Sequence, residues 1–326
     1  MKVLVVGGAG YIGSHMVLRF LQEDVNVTTF DNLSGGYRDS VLGGNFIEGD
    51  LADTNLLDKV FSENDFDVVM HFASFIEVGE SIISPAKYYN NNVTNTQNLL
   101  DAMVKHGVLN FIFSSTAAIF GEPEYVPIDE KHTMKPINPY GRTKLIVEQM
   151  LSDYDSAYGL KSIALRYFNA AGADPETRIG ERHLPESHLI PLVLQAASGR
   201  RKSISIFGQD YDTPDGTCIR DYIHICDLCE AHLLAINTLQ SRHESTAYNL
   251  GNGNGFSVKE VIDTAMHVTG KEIKVETAAR RIGDPARLVA DAALARKSLN
   301  WNPAFSSLET IVKHAWLWEE KLGALH

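Results

Sequence analysis

Within its first thirteen residues the chain commits to a turn that few folds can use. Val3-Leu4-Val5-Val6 is a short apolar run of strand type, and Gly7, Gly10 and Gly13 follow it at GxxGxxG spacing. A helical pattern begins at Tyr11 and Ile12. Glycines in such a turn let backbone approach a pyrophosphate. The helix start then offers unpaired N–H groups and the positive end of its dipole. A second strand-type run, Val25-Asn26-Val27-Thr28-Thr29-Phe30, ends at Asp31, 18 residues past Gly13. That is close to the ~20-residue offset at which a carboxylate meets the adenosine ribose of a dinucleotide. A carboxylate there repels a 2′-phosphate, so the pattern favours NAD over NADP.

Strand-type runs recur at 68–73, 111–115 and 162–168, mostly apolar without alternation, as in parallel strands covered on both faces. Helical patterns lie between them. One runs from Asn92 to His106 with Gly107 suited to the position past its end. Another starts at Pro139, a favourable first-turn proline, and continues to about Tyr158. This order predicts an α/β fold, a doubly wound parallel sheet of the Rossmann type. Past residue 169 the texture changes. Gly172 to Pro185 reads as a loop, Leu189 to Ser198 as a helix, Ser203 to Phe207 as a short strand and Gly208 to Gly216 as a polar loop. Tyr248-Asn249-Leu250 reads as a strand that can return to the main sheet. We therefore expect a dinucleotide-binding domain over 1–168 and a smaller α/β domain, mainly for substrate, over 169–326. The site should lie in the cleft between them.

Composition narrows the partners. The 326 residues carry a net charge of −12 without a Lys/Arg run, which argues against nucleic acid. An anionic substrate must then be met by a few placed arginines. No apolar run approaches the ~20 residues of a membrane span. Met1-Lys2 leads straight into the first strand, and the cysteines are three, Cys218, Cys226 and Cys229. These features predict reduced thiols and a cytoplasmic location. Cys226 and Cys229 form CxxC inside a helical pattern with no second pair, which suits burial on a helix face. His183 and His188 show no metal-ligand spacing, so no metal is expected.

Tyr140 and Lys144 sit four apart on one predicted helix and share a face. Alone the spacing means little, since about half a match arises by chance in a chain of this composition. Its chemistry carries more. A phenol of pKa ~10 becomes a base near neutrality only with about 4 kcal/mol of selective phenolate stabilisation. One ammonium at ~4 Å supplies roughly that at an effective dielectric near 20. Burial opposes it, and a second cation such as an oxidised nicotinamide would offset the burial. Thr116 closes the strand Phe111-Ile112-Phe113-Ser114-Ser115, where ligands bind in open α/β sheets. Its hydroxyl can donate and accept, which suits a substrate hydroxyl becoming a ketone.

Gly7 to Gly13, Thr116 and Tyr140-Gly-Arg-Thr-Lys144 together resemble the extended short-chain dehydrogenase/reductase family. Further blocks are similar to its UDP-glucose 4-epimerase members: Tyr11-Ile12-Gly13-Ser14-His15, Asp31-Asn32-Leu33, His71-Phe72-Ala73, Val78-Gly79-Glu80-Ser81, Tyr88-Tyr89-Asn90-Asn91-Asn92-Val93, Arg166-Tyr167-Phe168-Asn169 and Arg220-Asp221-Tyr222-Ile223-His224. The resemblance implies an NAD-dependent epimerase that interconverts UDP-galactose and UDP-glucose through a 4-keto sugar, acting as a homodimer. It implies that Tyr140 moves the proton of the 4-hydroxyl, that Lys144 holds the nicotinamide ribose and lowers the Tyr140 pKa, and that Thr116 stands in for a serine. It places NAD against Tyr11, Ile12, Asp31, Asn32, Leu33, Ser34, Gly35, Gly36, Asp50, Leu51, Phe72, Ala73, Asn91, Tyr140, Lys144 and Phe168. It places the UDP-sugar against Thr116, Tyr140, Asn169, His188, Leu189, Phe207, Arg220, Tyr222, Arg281, Asp284 and Leu288. The arginines would clamp diphosphate oxygens, and Asp284 would accept from a ribose hydroxyl.

Three positions depart from the family pattern. Ile76 stands where some members have a lysine, and His188 where an asparagine is common. Leu288 stands where a tyrosine excludes N-acetylated sugars, which implies activity on UDP-GalNAc and UDP-GlcNAc as well. A UDP-GlcNAc 4-epimerase is thus one alternative, and a non-catalytic NAD-binding sensor another, opposed by the intact Thr116, Tyr140 and Lys144. A 4,6-dehydratase would need carboxyl groups after the strand-end threonine, where this chain has Ala117-Ala118.

Overall fold

The computed structural model describes residues 1–281 and 284–324. Its strands are β1 (Lys2–Val6), β2 (Asn26–Asp31), β3 (Asn45–Glu48), β4 (Val68–His71), β5 (Asn110–Thr116), β6 (Lys161–Tyr167), β7 (Asn169–Ala171), β8 (Ile204–Phe207), β9 (Ile219–Arg220), β10 (Tyr222–His224), β11 (Thr246–Leu250), β12 (Phe256–Ser257), β13 (Val275–Ala278) and β14 (Arg287–Leu288). Its helices are α1 (Tyr11–Gln22), α2 (Thr54–Glu63), α3 (Val78–Ile83), α4 (Pro85–Tyr89), α5 (Asn95–Lys105), α6 (Pro139–Tyr158), α7 (Leu189–Ala197), α8 (Ile225–Arg242), α9 (Val258–Thr269), α10 (Ala293–Leu299) and α11 (Leu308–Ala324). None of the described helices is long and apolar enough to cross a membrane.

Seven parallel strands form the main sheet in the order β11-β6-β5-β4-β1-β2-β3. The unalternating apolar runs have a direct cause. In β1, Val3 and Val5 enter a core shared with α1 and α8, while Leu4 and Val6 enter a second core shared with α2, α5 and α6. From Val3 to Val6 both faces are buried, so those four positions are apolar. The chain runs outward from β1 to β2 and β3, then returns to place β4 on the other side of β1. That reversal opens the crevice in which such sheets hold ligands. As the Tyr248-Asn249-Leu250 run suggested, β11 rejoins the sheet beside β6, pairing Tyr248 with Leu165.

The helix expected over 92–106 differs in its start. A wide turn at Asn90–Thr94 joins α4 to α5, so the helical path begins at Pro85. Such a turn inserts one extra residue and re-aims the side chains after it, and it occurs often at functional sites. Beyond β6, three small sheets (β10-β7, β12-β9-β14 and β13-β8) join α7, α9 and α11 around a third core built on Val193, Ile262 and Ile311.

Candidate active site

The glycine turn is shaped by contact. Gly7 has φ +81, and a β-carbon on it would lie 2.4 Å from the Ala73 nitrogen. Phe72 and Ala73 reach this position because both N–H groups donate to the Val6 carbonyl, at 2.8 and 3.2 Å. A β-carbon on Gly13 would sit 2.1 Å from the Gly7 oxygen. Gly10 faces open space, with only the Gly7 oxygen at 3.5 Å. It begins α1 without a side-chain cap, so the first N–H groups of that helix stay available. Asp31 orders the rim. Its Oδ2 accepts from Ala9 N and its Oδ1 from Leu33 N, each at 2.8 Å. Leu33 has φ +58, and Ser34 N donates to Asn32 Oδ1 at 3.0 Å. Asn32 Nδ2 donates to Asp50 Oδ2 at 2.7 Å, which brings Asp50 and Leu51 to the same edge. Gly35 is open, while Gly36 packs on Ala9. Open space at Gly10 and Gly35, a helix start and an anchored carboxylate are parts a dinucleotide needs, so these residues fit NAD.

Across the crevice, Thr116 ends β5 and α6 begins with Pro139 and Tyr140. Gly141 lets these segments close, because a β-carbon there would stand 2.5 Å from the Ala118 oxygen. Burial pushes the Tyr140 phenol up to about 12, opposed by the Thr116 hydroxyl. Lys144 is buried, with Nζ donating to the Ser114 carbonyl at 2.8 Å. Burial lowers its pKa to about 7, with Glu148 pulling it back up. The sequence reading named burial as the effect opposing a lowered Tyr140 pKa, and burial is the larger cause here. In this structure the amine is directed at a strand carbonyl, and burial dominates both groups.

The wide turn carries Asn91, whose Nδ2 donates to Asn92 Oδ1 at 3.0 Å. Asn92 was not singled out from the sequence. Its Oδ1 accepts from Phe75 N at 2.9 Å and its Nδ2 donates to Thr143 Oγ1 at 3.1 Å, tying the loop after β4 to the first turns of α6. Glu148 was missed too. It accepts from Ser115 Oγ at 2.5 Å and forms a buried ion pair with Arg166, at 2.6 Å. Phe168 packs with Leu288 on a small core containing Ala117 and Phe120, so Leu288 lies beside the turn that follows Thr116.

The substrate-side residues converge through short strands. Asn169 pairs with Tyr222, and Leu288 with Arg220. Arg220 forms an ion pair with Asp284. The sequence reading had Asp284 available to a ribose; here it is shared with the arginine. The Arg281 guanidinium lies 4.0 Å over the Phe207 ring. Burial raises the Tyr222 phenol beyond its ordinary range, opposed by Arg220. Asp221, also missed, is fully buried and accepts from Asn252 N at 2.7 Å, Gly253 N at 3.0 Å and Ala290 N at 3.1 Å, fixing the loops behind Arg220.

His188 precedes α7, which Leu189 begins. Glu181, His183, Glu186 and His188 bring one ligand-type atom each within 4.8 Å of the others, a convergence the sequence spacing did not show. The contacts are ionic. His188 Nδ1 lies 2.5 Å from Glu181 Oε1 and 3.5 Å from Glu186 Oε1. Burial disfavours the charged ring, but Glu181 and Glu186 outweigh it and hold its pKa well above the ordinary value. A bound proton accounts for the cluster, and we assign no metal to it. The three cysteines are free, and burial raises all three thiols, which suits packing over redox chemistry.

Residues 3–251 match the model of the NAD-dependent epimerase/dehydratase family. The chain belongs to that family. A UDP-glucose 4-epimerase of Halalkalibacterium halodurans is 52% identical over 321 residues, covering 98% of this chain and 96% of that protein. Among solved structures, the Brucella ovis UDP-glucose 4-epimerase in complex with NAD has a TM-score of 0.95 at 48% identity, covering 97% of both chains. The UDP-Glc/GlcNAc 4-epimerase of Campylobacter jejuni has a TM-score of 0.87 at 45% identity, covering 98% of this chain and 99% of that one. The glycine turn follows β1 and Thr116 ends β5, two strands of the one parallel sheet.

Proposed function

We propose that this chain interconverts UDP-galactose and UDP-glucose by inverting the sugar's fourth carbon. The observation that carries this is Thr116 at the end of β5 meeting Tyr140 in the first turn of α6, two strands along the sheet from the β1 that carries the glycine turn. NAD, held by the cradle residues from Gly7 to Phe168, supplies hydride acceptance and return when bound. Tyr140 Oη would take the proton of the 4-hydroxyl and return it to that oxygen after the ring has turned. Thr116, which can donate and accept, follows the substrate oxygen from hydroxyl to ketone. Lys144 orients the cofactor ribose and adds positive charge beside the developing phenolate. Arg220 and Arg281 hold the diphosphate, with Phe207, Tyr222, Asn169, His188 and Leu189 around the nucleoside. Their grip on the diphosphate lets the keto sugar turn without leaving. Residues 1–168 serve the cofactor and 169–326 mainly the UDP-sugar. The family resemblance supports a homodimer, and the buried free thiols support the cytoplasm; sedimentation and fractionation check these.

Purified protein should convert UDP-galactose to UDP-glucose with no added NAD and release NAD on denaturation. Protein that holds no NAD and shows no conversion even with NAD added would refute the assignment. A second reading rests on Leu288, which sits beside the turn after Thr116 and leaves more room there than tyrosine would. We infer activity on UDP-GalNAc and UDP-GlcNAc too, in line with the likeness to the Campylobacter enzyme. Turnover of UDP-galactose with no detectable turnover of UDP-GalNAc would end that idea.

A further inference from the structure

The segment Glu181–His188 belongs to the C-terminal half, yet both of its ends are fastened to loops of the N-terminal half. At one end Arg182 donates to both carboxylate oxygens of Asp39, with Nη1 3.2 Å from Oδ2 and Nη2 2.5 Å from Oδ1. Its guanidinium also lies 3.5 Å over the Tyr37 ring. At the other end Ser187 Oγ donates to Glu77 Oε1 at 2.7 Å. Tyr37 and Asp39 follow β2, and Glu77 follows β4. The sheet order β4-β1-β2 puts β1, and the glycine turn after it, between those two loops. The segment therefore passes across the turn. The Tyr37 loop is itself seated on that turn: Tyr37 N donates to Ala9 O at 3.0 Å, and a β-carbon on Gly36 would lie 2.5 Å from the Ala9 carbonyl carbon.

The segment's two flanks are also held by contacts within the C-terminal half. His188 is ion-paired to Glu181 and Glu186, and the His183 ring stacks on it with centroids 5.6 Å apart. Trp318 Nε1 donates to the Glu181 carbonyl at 2.8 Å. Arg182 Nε is buried without an acceptor among the described residues.

We propose that residues 182–187 form a strap over the cofactor cleft, and that the Arg182–Asp39 fastening slows departure of the bound dinucleotide. This rests on the reading of the cradle as an NAD site. Arg182 is a positioning residue here, not part of the chemistry. A partly exposed ion pair and a cation–π contact are each weak, and together they correspond to exchange about 5- to 20-fold slower, or roughly 1–1.8 kcal/mol at 1.4 kcal/mol per tenfold.

The test loads parent protein and Arg182→Gln with NAD, adds excess isotope-labelled NAD, and follows displacement of unlabelled cofactor by mass spectrometry. Exchange about 5- to 20-fold faster in the variant, with kcat at saturating NAD within about twofold of the parent, supports the strap. Asp39→Asn should accelerate exchange as Arg182→Gln does and add little on top of it, since both break one pair. It also serves as the reporter if Arg182→Gln folds poorly. The charge swap Arg182→Asp with Asp39→Arg should recover part of the slow exchange, which a general loosening of the fold would not allow. Exchange at the parent rate in both single variants overturns the strap. Failure of the parent to bind NAD at all overturns the cofactor reading beneath it, and the two failures are distinguishable in one experiment.

Discussion

Removing the charge of Lys144 should stabilise the fold while it abolishes turnover. Only 3% of this residue is exposed, and burial holds its pKa at about 7 against an ordinary 10.5. Below pH ~7, folding therefore takes a full ammonium out of water. The gap to 10.5 corresponds to about 5 kcal/mol at 1.36 kcal/mol per pH unit. The sign follows from proton counting. The unfolded chain holds this proton more tightly, so stability rises with pH across the window from about 7 to about 10.5. The penalty is complete below that window and absent above it. Lys144→Met keeps a similar stem and removes the charge. It also removes the donor to the Ser114 carbonyl, which costs about 1 kcal/mol. The cofactor-free variant should then be about 3–4 kcal/mol more stable than the parent at pH 6, and about 1 kcal/mol less stable near pH 11. Urea unfolding of both proteins at pH 6, 8 and 10 measures this as a difference, so titrations common to both cancel. A variant less stable than the parent at pH 6, or a difference that does not shrink between pH 7 and 10, refutes the argument that burial governs this amine.

Other substitutions probe the remaining parts. Tyr140→Phe should reduce kcat for UDP-galactose by about 100- to 10,000-fold while the protein still retains NAD, because it removes only the proton-transfer group; undiminished turnover in a coupled UDP-glucose assay would count against it. Gly13→Ala places a β-carbon 2.1 Å from the Gly7 oxygen, so the turn must shift. We expect loss of bound NAD and about 1–3 kcal/mol of stability, read by absorbance of the denatured extract and by thermal melting. Leu288→Tyr should suppress turnover of UDP-GalNAc by about tenfold or more relative to UDP-galactose, measured as a ratio of kcat/KM values.

What the sequence discloses is what neighbours along the chain decide. The start of α6 was legible because a first-turn proline acts locally, and Pro139 opens the helix as read; Gly159, which closes it at φ +73, is a signal of the same local kind. The glycine turn was legible for the same reason. The opaque residues are buried polar groups whose partners lie far away. Asn92 joins Phe75 to Thr143, and Asp221 joins the loops at Asn252 and Ala290. Neither shows periodicity, and each is buried only because distant donors satisfy it. The two-residue strands β9, β12 and β14 carry no pattern of their own either, and exist only as one another's partners.

The reading of Tyr140 and Lys144 already set burial against the ammonium, and the structure puts a size on that opposition. Four residues on a helix align two side-chain stems, but they leave the lysine tip free to choose the Ser114 carbonyl. A phenol at about 12 needs about 7 kcal/mol of phenolate stabilisation to titrate near pH 7. One cation at ~4 Å offers roughly 4 kcal/mol at an effective dielectric near 20, so a single charge falls short and two are required. Lys144 is one candidate on the same helix face, and its low pKa makes the coupling reciprocal. A phenolate forming beside it would raise the pKa of the ammonium as the ammonium lowers that of the phenol. Each group is strained toward neutrality by burial when the other is uncharged, and ionising together relieves both. If Tyr140 is the base, as proposed, it would ionise only together with Lys144 and a second positive charge in the crevice, which would confine proton abstraction to the loaded state of the enzyme.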